Sequence, residues 1–80
     1  MPYFEFIWTD EAKQHVADND VTPEEFEDVV LNAGVMETSR KSGLPACSGH
    51  TQDGRLLFCV FRIEDDLWAI PVTAFEIGDR

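Results

Sequence analysis

The sequence is poor in basic residues, in cysteine and in long apolar runs, and each shortage excludes a class of protein. Six Lys and Arg residues stand against sixteen Asp and Glu, so the 80-residue chain carries a net charge of −10. Such a charge repels phosphates, which disfavours RNA and excludes DNA as a partner. Its apolar runs are far shorter than the roughly 20 residues of a membrane span, and its first residues lack the features of a signal peptide. We therefore expect a cytoplasmic protein with no membrane partner.

The few bases are unevenly placed, which points to one local anion-facing surface. Residues 1–37 have a net charge of −9, residues 38–62 of +3 and residues 63–80 of −4. The basic island between two acidic segments includes Arg40, Lys41 and Arg62, which are the candidate binding residues. The alternative interpretation is that these charges are ordinary solvated side chains.

Hydrophobic periodicity changes from helical to strand-like along the chain, which predicts an α+β fold. Large residues alternate from Tyr3 to Trp8, as in a strand, and two helical segments follow. Four further strands are predicted: Val35–Ser39, Ala46–Thr51, Arg55–Ile63 and Leu67–Ile77. The order β-α-α-β-β-β-β predicts a single domain over residues 1–80. In it the N-terminal strand and two short helices pack on a twisted, mostly antiparallel sheet of four to five strands.

Both helices begin at recognisable caps. Thr9 or Asp10 can cap the first, which runs to about Ala17. Thr22 and Glu25 form a capping box at the start of the second. The second helix has one apolar stripe and a glycine suited to end it: Phe26, Val29, Val30 and Ala33, then Gly34.

The strands contain two further signals. If Asp53-Gly54 forms a two-residue hairpin turn, Ser48 pairs with Cys59, and Cys47 lies on the opposite sheet face. We therefore expect two reduced thiols rather than a disulfide. Pro71 lacks an amide donor, which predicts that the last strand has an edge or a bulge at this position.

Three stretches of the chain carry a resemblance to a known family. They are Phe6-Ile7-Trp8-Thr9-Asp10, Val21-Thr22-Pro23-Glu24-Glu25, and Gly49–Arg55 leading into Leu-Leu-Phe-Cys-Val-Phe. Together they resemble the BrnT-like toxins, small proteins similar to the RelE/ParE superfamily, over nearly the whole chain. The resemblance implies a type II toxin–antitoxin system. The toxin in such a system is typically a ribonuclease, neutralised by a small antitoxin protein that covers the sheet.

The resemblance also implies RNA cleavage without a metal or other cofactor. The 2′-OH of the RNA attacks the adjacent phosphorus, while basic side chains transfer protons and stabilise the transition state. Lys13 and Arg55 match the family pattern. Asp18-Asn19-Asp20 stands where the family usually has Lys-His-Gly, and Val72–Glu76 stands where it usually has a basic segment.

Two functions are therefore predicted. In the first, a toxin-type ribonuclease, Arg55 neutralises the scissile phosphate and His50 or Lys13 transfers protons; the two-residue turn places Arg55 and His50 on one sheet face. In the second, the chain is a non-catalytic protein-interaction module that keeps the toxin-like fold and binds a protein partner through its exposed sheet edge or its basic island. His15 and His50 stand apart, without the CxxC or HxxxH spacing of a metal site, so no metal is expected.

Overall fold

The fold consists of two helices and one five-stranded sheet. The computed structural model describes residues 5–32, 36–40 and 42–77. The elements are β1 (Glu5–Phe6), α1 (Asp10–Asp18), α2 (Pro23–Asn32), β2 (Glu37–Thr38), β3 (Pro45–His50), β4 (Leu56–Glu64) and β5 (Trp68–Glu76). The strand order is β1-β5-β4-β3-β2, with only the β1–β5 pair parallel. The predicted α+β fold is confirmed, and neither described helix is long and apolar enough to cross a membrane.

The two helices begin where their caps predict. In α2 the Thr22 hydroxyl accepts from the Glu25 amide, and the Glu25 carboxylate accepts from the Thr22 amide, both at 3.1 Å. In α1 the Thr9 hydroxyl accepts from the Ala12 amide at 3.1 Å. The apolar stripe of α2 is buried at Phe26, Val29 and Val30. The predicted Ala33 and Gly34 lie outside the described residues.

One face of the sheet packs against the helices and forms the core. The rings of Phe6, Trp8 and Phe61 surround Phe26 in edge-to-face contacts, with centroids 6.4, 5.2 and 6.4 Å from its own. Edge-to-face pairs at these distances add to the free energy gained from burying the rings. Leu57, Cys59 and Ala74 extend the core along β4 and β5.

Helix α1 covers the exposed edge of β5. Strand β1 pairs only with Trp68 and Ala69, so the rest of that edge has no strand partner among the described residues. The side-chain Nδ2 of Asn19 donates to the Ala74 carbonyl at 2.9 Å, and His15 Nδ1 lies 3.3 Å from the Val72 carbonyl oxygen. Pro71 lies opposite Phe61 at a register shift between β4 and β5, which confirms the predicted bulge.

The β3–β4 hairpin has a three-residue loop, Gln52-Asp53-Gly54, and the predicted two-residue turn was wrong. The Thr51 amide donates to the Arg55 carbonyl at 2.8 Å, and the Gly54 amide donates to the Thr51 carbonyl at 3.0 Å. Gly54 has a φ of +86°, which suits the left-handed position of such a loop. The extra loop residue shifts the register by one, so Ser48 pairs with Phe58 and Cys47 with Cys59.

Candidate functional site

The guanidinium of Arg55 is held between two carboxylates. Its Nη1 lies 3.3 Å from both carboxylate oxygens of Glu25, and its Nε lies 3.4 Å from Oε1 of Glu76. Glu25 is also half of the capping box of α2, so the ion pair joins the hairpin to the helix. The Arg55 side chain is only 25% exposed. Its charge is therefore balanced locally, which weakens the attraction it offers to a phosphate.

The three predicted catalytic residues are not brought together by any described contact. His50 is exposed at the end of β3 opposite Leu56, whereas Arg55 reaches α2 on the helix-facing side. Side chains alternate between faces along a strand, so the shifted register puts His50 on the other face. The prediction that His50 and Arg55 share a face was wrong. Lys13 is exposed on α1, the helix that packs along β5.

The basic island is also divided. Arg40 lies on the wall of a groove over the open sheet face, whereas Arg62 lines a separate depression beside His15 and Glu11. Nη2 of Arg62 lies 3.9 Å from the Glu64 carboxylate, a loose and exposed pair. Lys41 lies outside the described residues. Arg40 and Arg62 therefore do not form one anion site.

The sheet face turned away from the helices carries a groove that contains no residue of either described helix. Phe58 and Val60 from β4 and Val72 and Phe75 from β5 line a groove of about 470 Å³. The Phe58 and Phe75 ring centroids are 5.5 Å apart, and Phe75 is 42% exposed. The groove is walled on one side by residues of β2 and the loop after it, among them Glu37, Thr38, Ser39, Arg40 and Ser42.

Sequence reasoning missed this face although its signal is present. The run Leu56–Phe61 is apolar at both odd and even positions, a pattern typical of a strand buried on both faces. Both described helices precede β2, and both pack against the side of the sheet that carries Leu57, Cys59 and Phe61. On the opposite side Phe58 is partly exposed, whereas Val60 is buried.

The two thiols lie directly opposite each other on the helix-facing side. Cys47 and Cys59 are free, fully buried and paired in the β3–β4 ladder. Burial, and to a smaller extent the charge of Glu37, raise the pKa of Cys47 to about 11. Burial, and then the neighbouring Cys47, raise the pKa of Cys59 to about 12. Both groups are therefore protonated near neutral pH.

No protein-family model, curated protein or solved structure matches the chain. Residues 5–32, 36–40 and 42–77 contain no cluster of three or more His, Cys, Asp or Glu side chains that could hold a metal ion. Two features of the described residues bear on function: the groove on the open sheet face and the ion-paired Arg55.

Proposed function

We propose that this protein is a non-catalytic protein-interaction module that keeps a toxin-like fold and binds a partner protein across the open face of its sheet. The carrying observation is the open groove lined by Phe58, Val60, Val72, Thr73 and Phe75, in which Phe75 is 42% exposed. Exposed apolar patches of this kind mark protein-binding surfaces, and the cores of such surfaces are rich in aromatic residues and poor in charge.

The charges around the groove indicate the charge and polarity of the partner protein. The floor is uncharged, and its wall carries one acid and one base, Glu37 and Arg40. The helix side is strongly acidic, since residues 10–32 hold eight acids and one base. The net charge of −10 attracts a basic molecule from a distance, while the groove itself selects apolar side chains. The partner is therefore a small, basic protein with an apolar segment, as a small antitoxin protein would be.

The state of Arg55 supports binding over catalysis. Two carboxylates within 3.4 Å of its guanidinium compete with any phosphate for the same donors. Replacing them by phosphate would leave the Glu25 carboxylate, whose side chain is only 21% exposed, without its positively charged partner. An anion would have to compensate for that loss before it stabilised a transition state.

A photo-crosslinking experiment tests the binding face. A phenylalanine analogue that crosslinks on irradiation is placed at position 75 or, as the control, at position 31 of the chain in its native host. Leu31 and Phe75 are similarly exposed, at 45% and 42%, but Leu31 lies in α2 and not in the groove. We expect one protein to be captured from position 75 and not from position 31. Equal capture from both positions, or capture from neither, would contradict the proposal.

Binding of the captured protein then measures the contribution of the face. Phe75→Asp places a charge in the groove and should weaken binding roughly 30-fold or more, as expected for a central aromatic contact. Leu31→Asp should leave the dissociation constant within about threefold, because surface changes outside an interface are nearly neutral. The measurement is calorimetric titration of both variants and the unaltered chain. Equal losses would assign binding to a surface other than the groove.

The second candidate is a metal-independent ribonuclease. Lys13 and Arg55 match the family pattern, and the Glu76 side chain that pairs with Arg55 is 50% exposed, so it can swing into solvent. The test is induction of the chain and of Arg55→Ala in a bacterial host, with total RNA followed over time. The interaction module predicts normal growth and intact RNA in both cultures at equal soluble expression. Growth arrest with RNA loss that Arg55→Ala relieves would establish the ribonuclease.

A further inference from the structure

The shifted register gives the two cysteines a relationship that the expected register excluded. Cys47 on β3 and Cys59 on β4 are direct cross-strand partners, and neither is accessible to solvent. Both belong to the core cluster that also contains Val29 and Phe26 of α2. The chain has no other cysteine.

The hydrogen-bond pattern of the hairpin fixes the spacing of this pair. The Thr51 amide donates to the Arg55 carbonyl, so these residues form a hydrogen-bonded pair, as does every second pair along the ladder. Cys47 and Cys59 lie two such steps further along. The Ile77 amide donates to the Leu56 carbonyl at 2.8 Å, so the Leu56 carbonyl is directed away from β3. This agrees with the pattern, in which His50 and Leu56 are a pair without hydrogen bonds between them. The α-carbons of such pairs are about 5.5 Å apart, inside the range of about 4.4–6.8 Å found in disulfides.

We propose that Cys47 and Cys59 form a reversible intramolecular disulfide across the β3–β4 hairpin when a peroxide oxidises the protein. When the hairpin opens locally, the Cys47 thiol releases its proton to water, and the resulting thiolate attacks one oxygen of hydrogen peroxide, so that the O–O bond breaks. This gives a sulfenic acid on Cys47 and a hydroxide ion. The hydroxide combines with the proton that the thiol released and forms water. The Cys59 sulfur then attacks the Cys47 sulfur, the S–O bond breaks, and a second water leaves. Two thiols and one peroxide thus become one disulfide and two waters.

The position of the two cysteines in the core determines how fast they are oxidised and how the disulfide changes the hairpin. Its burial under α2 makes the reaction depend on local opening, so brief exposure to oxidant is without effect. A disulfide holds its β-carbons about 3.8 Å apart, closer than the about 4.5–5.5 Å of an unlinked cross-strand pair. The bond therefore draws β3 and β4 together beside Ser48 and Phe58, the facing pair next to it in the ladder.

Mass spectrometry of the full chain treated with hydrogen peroxide tests the bond without any substitution. Trypsin cleaves after Lys41, Arg55 and Arg62, which separates Cys47 on residues 42–55 from Cys59 on residues 56–62. We expect these two peptides to be joined, the intact monomer to have lost two hydrogens, and dithiothreitol to restore both thiols. The thermal midpoint of the oxidised monomer should rise by roughly 10 °C, since the bond closes a short loop in the unfolded chain.

Single-thiol variants provide the control. Cys47→Ala and Cys59→Ala, examined under the same peroxide treatment, should yield oxidised sulfur on the remaining cysteine and no loss of two hydrogens within one chain. The proposal is overturned by a wild-type product that is only sulfinic acid or an intermolecular dimer. It is also overturned if both thiols still react with a maleimide after peroxide treatment in denaturant mild enough to open the protein reversibly. An unchanged or lower midpoint of the linked monomer would show that the bond does not fit the hairpin.

Discussion

Replacement of Phe26 by alanine is expected to lower the free energy of unfolding by about 3–5 kcal/mol, the usual cost of removing a buried aromatic side chain. Phe26 is fully buried, and its ring contacts three other aromatic rings from β1, the loop after it and β4. Truncation leaves a cavity where α2 meets the sheet. A domain of this size is stable by only about 4–12 kcal/mol, so the variant should be partly unfolded at 37 °C.

Urea unfolding followed by tryptophan fluorescence measures this loss, since Trp8 packs directly on Phe26. The matched control is Phe75→Ala, which removes the same atoms from a side chain that is 42% exposed. It should cost about 1 kcal/mol or less. Phe26→Leu keeps most of the volume and supplies a folded variant if the alanine variant cannot be purified. Equal losses at positions 26 and 75 would contradict the assignment of the core to the helix-facing side.

The features of this fold that are set by neighbouring residues were predictable from the sequence. The start of α2 follows from Thr22 and Glu25, whose reciprocal hydrogen bonds span only three residues. The bulge in β5 follows from Pro71, because a residue without an amide hydrogen cannot sit in a regular central ladder. The order of helices and strands follows from the change in hydrophobic period.

The strand register was not predictable in the same way. Asp53-Gly54 fits both a two-residue turn and the last two positions of a three-residue loop, since glycine serves the left-handed conformation in each. In the structure the Thr51 hydroxyl accepts from the Arg55 amide at 3.1 Å, a contact available to the longer loop. A difference of one loop residue moved His50 to the open face and turned Cys47 toward Cys59.

The candidate site depends on contacts distant in sequence, which local patterns do not encode. Arg55 and Glu25 are 30 residues apart, and their pairing requires both the hairpin register and the side on which α2 packs. Because β4 is apolar on both faces, its sequence leaves that side undecided. The open groove follows only once the helices are placed, since it is the face that they leave uncovered.

Raising the pH above 9 is expected to destabilise the protein through its two buried thiols. The pKa of Cys47 rises from the ordinary value of 9.0 to about 11 on folding, and that of Cys59 to about 12. Between these values the unfolded chain loses its thiol protons while the folded protein retains them, so the unfolded state binds fewer protons and stability falls as pH rises. Below pH 8 both states are protonated and the thiols contribute no pH dependence. Each thiol contributes at most about 1.4 kcal/mol per pH unit, giving about 2–5 kcal/mol in total from pH 9 to 11.

Urea unfolding at intervals between pH 7 and 11, under reducing conditions, measures this slope. The double variant Cys47→Ala/Cys59→Ala is the comparison, because it keeps every other group that titrates at alkaline pH. Its smaller side chains lower stability at all pH values, so the slopes are compared and not the absolute free energies. We expect the wild type to lose stability more steeply than the variant above pH 9 and in parallel with it below pH 8. Parallel curves over the whole range would mean that the thiols titrate alike in the folded and unfolded chain. The interior between β3 and α2 would then be open to water, and the same opening would admit peroxide to the cysteine pair without delay.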